Sequence, residues 1–114
     1  MAIRISATDL RDATRKSAAI RADAQARGAV APEILLDVKV VIEHDAATAF
    51  AALDSIETAH VRYVGTARGL AGFIADVQRL GIADGVVLLT ARRDHVIGLV
   101  LDEMAPGLGA QRAA

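Results

Sequence analysis

The chain is expected to fold as an α/β protein with three parallel strands. Three observations predict this. Short β-branched runs alternate along the chain with amphipathic stretches of helical period. One run, "DGVVLLT" from Asp84 to Thr90, is apolar almost without interruption, as strands of a parallel sheet are. Thr or Asp stands at three of the four expected helix starts and Gly at two of the expected stops, where capping chemistry calls for them.

In "AIRISA", Ala2 to Ala7, Ile3 and Ile5 alternate with Arg4 and Ser6, the period-two signature of a short strand. Thr8 then offers a hydroxyl to cap a helix that ends at Gly28, with Leu10, Ala13, Ser17, Ile20 and Ala24 on one face. Pro32 breaks the chain before "ILLDVKVVIEHD". In this second strand Leu36, Val38, Val40 and Ile42 point one way, and Leu35, Asp37, Lys39, Val41 and Glu43 the other. Asp45 caps a second helix reaching about Ala59, with Ala46, Ala49, Phe50, Leu53 and Ile56 inward.

"HVRYVG", His60 to Gly65, reads as a connector. Thr66 caps a third helix whose apolar stripe is Leu70, Phe73, Ile74, Val77 and Leu80, and Gly81 supplies a left-handed stop. After the third strand, Val96, Ile97, Val100, Leu101 and Met104 form a last amphipathic helix ended by Pro106. The order is βαβααβα, one domain over residues 1–106, with 107–114 expected to fray.

Composition excludes several functions. The 114 residues carry 13 basic and 14 acidic side chains, net charge -1, without a basic block, so nucleic-acid binding has no electrostatic footprint. Cys is absent, which removes disulfides and thiolate metal sites and fits a reducing, cytoplasmic setting. Neither a signal-like apolar start nor a run of 18 apolar residues occurs, so no membrane partner is expected. Aromatics make up 3%, leaving an aliphatic core with few rings to stack on a ligand.

Val64-Gly65-Thr66, an amphipathic helix, Gly81, Asp84-Gly85, the apolar Val86 to Leu89 and a final helix running into "DEMAPGL" follow one another in this order. This pattern resembles the C-terminal part of the luciferase-like flavin and deazaflavin-dependent monooxygenases. "LLDVKVVIEHDAATAFAAL" resembles that family's penultimate strand and helix, and "IRISATDLRDA" the sixth strand and the helix after it. The family fold is a (β/α)₈ barrel of typically about 250 residues. The resemblance therefore implies that this chain corresponds to the last three βα units of such a barrel. The segments that hold the flavin phosphate and most catalytic contacts in the family have no counterpart here. What it implies for function is a family fragment or degenerate member, a structural or binding module without turnover of its own. The alternative is a flavin- or deazaflavin-dependent oxidoreductase active only when assembled with itself or a partner chain.

Ligands of parallel sheets gather beyond the C-terminal strand ends. Those ends present Ser6 and Thr8, then Glu43, His44 and Asp45, then Thr90, Arg92 and Arg93. Ser6, Thr8, Glu43 and Thr90 are the candidate cofactor contacts, for FMN or a deazaflavin in an assembled form; the chain alone is expected to bind neither tightly. A third reading is a small regulatory domain binding an anion at these ends. Against all three stands the plainer view that Thr8 and Asp45 are helix caps and the rest a solvated rim. No catalytic residue is assigned. A metal site is not expected, since His44, His60 and His95 lack ligand spacing, and His95 is placed on the exposed flank of the last helix. "GTARGLAG", Gly65 to Gly72, could seat a phosphate on helix N–H groups, but its glycines are better explained by close packing. The polar strand face of Asp37, Lys39 and Glu43, with two open sheet edges, predicts a homodimer.

Overall fold

The computed structural model describes residues 1–52 and 60–102. The expectations for Leu53, Ile56, Met104, Pro106 and the 107–114 tail lie outside these residues. The elements are β1 (Ala2–Ile5), α1 (Leu10–Ala26), β2 (Glu33–Ile42), α2 (Ala46–Ala51), β3 (Val61–Gly65), α3 (Ala67–Arg79) and β4 (Gly85–Leu89), followed by helical residues 93–102, here α4. The expected α/β class with parallel strands holds. The strand count does not: among the described residues the sheet has four strands, because "VRYVG" is β3 and not a connector. Arg62 and a length of five residues hide its period-two pattern, in which Val61, Tyr63 and Gly65 share one face.

Every ladder runs through β2. Ile3 to Ile5 of β1 pair with residues from Ile34 to Leu36, and Val61 to Gly65 of β3 pair with Val38 to Ile42. β4 pairs with Leu35 to Lys39. Leu35 is partnered by both Arg4 and Gly85, and Val38 by both Val61 and Leu88. A strand has only two edges, so β1 and β3 lie end to end along one edge of β2, and β4 occupies the other.

The ten residues of β2 alternate as the sequence requires. Ile34, Leu36, Val38, Val40 and Ile42 are buried, each stabilising the fold by roughly 1.5–3 kcal/mol through removal of apolar surface from water. Against this face pack Ala13 of α1 and Leu70 and Val77 of α3. Two bonds fasten α1 to the end of α3: Ser17 Oγ donates to the Ile82 carbonyl at 2.6 Å, and Arg21 Nη1 donates to the Gly81 carbonyl. Asp84 then pins the start of β4, accepting from the Ile34 N–H and donating its own N–H to the Ile34 carbonyl, both at 2.8 Å.

Right-handed crossovers place α1 and α3 on one face of this strand order and α2 on the other. Ala52, just past α2, indeed lines a cavity with Lys39, Val41, Arg62 and Val64, which belong to the second face. No helix among the described residues is long and apolar enough to cross a membrane.

Caps follow the expected chemistry with one shift. Asp45 and Thr66 cap α2 and α3 by accepting from the Thr48 and Gly69 N–H groups. For α1 the cap is Asp9, not Thr8: Asp9 accepts from the Asp12 N–H, while Asp12 accepts from the Thr8 N–H. A carboxylate three residues into the helix completes this reciprocal pair, which Thr8 as cap would lack. Gly28 and Gly81 have φ of 65° and 71°, the left-handed stops expected. Several expected inward residues instead face out. Phe50 is 62% exposed and Leu80 64%, and Leu10, Ile97 and Leu101 are also exposed. On α4 the buried pair is Val96 and Leu99, a stripe turned away from Ile97 and Leu101.

Candidate functional site

Glu43 follows β2 directly, and its parity puts it on the same sheet face as Lys39 and Val41. It is a charged residue only 7% exposed, and burial of an unpaired carboxylate is costly. Two side chains from the start of α4 resolve this. His95 Nε2 lies 2.8 Å from Oε1, and Arg92 Nη1 donates to Oε2 at 2.7 Å. The hydrogen bond from His95, then the charges of His95 and Arg92, hold the Glu43 carboxyl below its ordinary range despite desolvation. Thr90, at the end of β4, accepts from the Arg92 N–H and shapes the turn into α4.

These groups form the upper wall of a cavity of about 350 Å³ at the C-terminal ends of β2, β3 and β4. Its floor is aliphatic, with Val41, Val64 and Leu89 on one sheet face. Lys39 and Arg62 sit side by side one pleat lower, and Ala52 closes the α2 side. The site lies where successive connections leave β2 and β3 toward opposite faces, the position at which open α/β sheets hold ligands.

Of the four expected contacts, the structure gathers Glu43 and Thr90 and separates Ser6 and Thr8. β1 stops beside Leu36, whereas β2 continues to Ile42. Six residues at about 3.3 Å each put the end of β1 roughly 20 Å short of the cavity rim. The Ser6 carbonyl accepts from Lys16 Nζ, a role internal to the β1–α1 turn. Thr8 lines a second, more open cavity with Asp9, His60 and Phe73, where β1 leaves the sheet and β3 begins. There His60 Nδ1 is buried without a hydrogen-bond partner.

His95 is not on an exposed flank, as the helical stripe alone suggests. Its ring is drawn to Glu43 across 52 positions of sequence, a contact that no local pattern carries. Arg62 was equally out of reach, because it lies in the strand read as a connector, whereas Lys39 stands on the polar strand face expected to carry Glu43. Arg93 is exposed, as is His44.

The glycines of "GTARGLAG" have a packing role. Tyr63 donates to the Thr66 carbonyl at 3.1 Å and lays its ring over the start of α3, with its centroid 5.7 Å from that of Phe73. A Cβ at Gly65 or Gly69 would collide with the Tyr63 hydroxyl, while Gly72 faces open space. The stretch sits at the C-terminal end of β3, not between two helices. The Gly69 N–H that a phosphate would need is already bonded to Thr66 Oγ1. No group of three potential metal ligands occurs among the described residues.

No protein-family model matches the chain, and neither the curated proteins nor the solved structures contain a significant match.

Proposed function

We propose that the chain is a binding module that holds a small organic ligand in the cavity at the C-terminal ends of β2, β3 and β4, without turnover of its own. One observation carries this reading. The buried Glu43 carboxylate is fixed from two sides by Arg92 and His95, so a polar wall stands ready beside an aliphatic floor. A site held in place before the ligand arrives loses less freedom on binding. The volume, about 350 Å³, is at the small end of ligand pockets and suits a metabolite of modest size.

The test is a thermal-shift screen of small acids, amides, alcohols and amines, followed by calorimetry on any that stabilise. Val64→Trp and Leu89→Trp, which fill the cavity floor from either side of β2, should abolish binding with the fold retained by circular dichroism. Binding that survives both substitutions would place the ligand elsewhere.

A second reading keeps the chain with the luciferase-like monooxygenases, as a fragment or as an assembled flavin or deazaflavin enzyme. Val64-Gly65-Thr66 favours it, because it forms a strand end and helix cap as in a βα unit. Strand order weighs on the other side: a barrel sets consecutive strands side by side, whereas β4 is bonded to β2. Titration with FMN decides between them. A dissociation constant weaker than about 0.1 mM, under roughly 5.5 kcal/mol, is expected for the purified chain; micromolar binding would favour the second reading. Both readings are compatible with a cytoplasmic homodimer formed through open sheet edges.

A further inference from the structure

The chemistry of the cavity narrows its ligand. We infer that it takes a small monoanion with a short apolar body, a carboxylate above all, whose acidic group is bound by Arg62. This inference rests on the cavity being a ligand site and adds the class of ligand.

Charge is the first argument. The chain as a whole carries -1, yet the described residues lining this cavity bring Lys39, Arg62 and Arg92 against the single carboxylate of Glu43. Not all of that positive charge is open to a ligand. Arg92 is engaged by Glu43 at 2.7 Å, and Lys39 has an interaction of its own. Arg62 has no acidic partner among the described residues, although six other arginines of the chain do. One uncommitted guanidinium in the wall matches one negative charge, and its planar fork suits the two oxygens of a carboxylate.

Position is the second argument. Arg62 is paired in register with Lys39, and Val64 with Val41, two residues farther along the same face. Leu89 stands beside Lys39 on the opposite edge of β2. Arg62 stands level with Lys39, four residues and about 13 Å of strand short of Glu43, so a ligand with its acid on Arg62 runs over Val64 and Val41 toward the wall of Glu43 and His95. With the side chains of Arg62 and Glu43 taking up the two ends of that span, the interval accommodates a body of about four or five carbons. A carboxylate turned the other way would face Glu43, whose like charge disfavours it. Glu43 is in this view a positioning residue, which holds Arg92 and His95 as the far wall and keeps the acid at Arg62.

The experiment uses the full chain and three probes that share one branched five-carbon skeleton: 3-methylbutanoate, 3-methylbutanamide and 3-methylbutylamine. Inorganic phosphate serves as a fourth, testing an acidic head without a body. Calorimetry should rank the carboxylate at least about tenfold tighter than the amide, about 1.4 kcal/mol, with the amine and phosphate weaker still. Arg62→Gln should bring the carboxylate down to the affinity of the amide, with an unchanged melting temperature because Arg62 is exposed.

Equal affinity for carboxylate and amide, abolished by Val64→Trp and Leu89→Trp, would overturn the monoanion while leaving the cavity as a site. Phosphate binding as tightly as 3-methylbutanoate would overturn the apolar body. If no probe binds, or if binding survives both tryptophan substitutions, the cavity reading itself fails.

Discussion

Tyr63 shows how one side chain can dictate the composition around it. Its hydroxyl occupies the space a Cβ would need at Gly69, so Gly69→Ala should destabilise despite the better helix propensity of alanine. In a Tyr63→Phe background the penalty should shrink, and chemical denaturation of the two singles and the double measures that coupling. Additive effects would show that the ring and Gly69 are not in contact. Asp12 makes a pH prediction of known sign. The Thr8 N–H, then Arg15 and Lys16, lower its pKa to about 2, below the value of about 3.9 for an unfolded Asp. A lowered pKa gives stability that is present above the unfolded value and is lost as pH falls through about 2. Asp12→Asn should thus flatten the acid limb of melting temperature against pH between about 4 and 2, and leave its neutral limb parallel to wild type. Glu43 has the same sign, its carboxyl also being held low in the folded chain.

At the scale of elements, α3 is the best test of the packing. Leu70 is fully buried in the cluster that covers β2, so Leu70→Ala should cost about 2–5 kcal/mol in urea denaturation. Leu80→Ala, at a position 64% exposed, should change stability by under about 0.5 kcal/mol. The sequence stripe put both on one face. It failed at Leu80 because the helix ends at Arg79 and its cap turns away from the sheet. The same physics explains what else was legible. Which side chains of β2 face inward was readable, since alternating positions leave one register that buries the aliphatic side, although the strand stops at Ile42, short of the run read from the sequence. β3 was not, because five residues containing Arg62 look the same in a loop as in a strand that pairs on one edge only. The cavity was half legible for that reason: Glu43 and Thr90 follow from strand ends, whereas Arg62 needs β3 and His95 needs a contact 52 positions away.

For the whole molecule the exposed strand edges matter most. Among the described residues β4 has a ladder on one side only, all five of its residues are partly exposed, and it carries no Lys or Pro to discourage another strand. Sedimentation at micromolar concentration should show a dimer, and Val87→Lys, on the face away from α1 and α3, should shift it to monomer. A monomeric wild type with a cooperative melt would overturn this.

Among the described residues β1, β3 and β4 are all bonded to β2 and to no other strand, so the sheet is a star and not a chain of neighbours. Removing one strand from the middle of a row leaves two fragments; removing the centre of this star leaves three strands, none with a partner. Nothing in the nascent polypeptide has a strand partner until residues 33–42 are made, and afterwards the three outer strands can dock in any order, since none waits for another. Partial unfolding should follow the same plan, with β1, β3 and β4 each able to detach alone. Hydrogen exchange in β2 would then report the slowest, global opening.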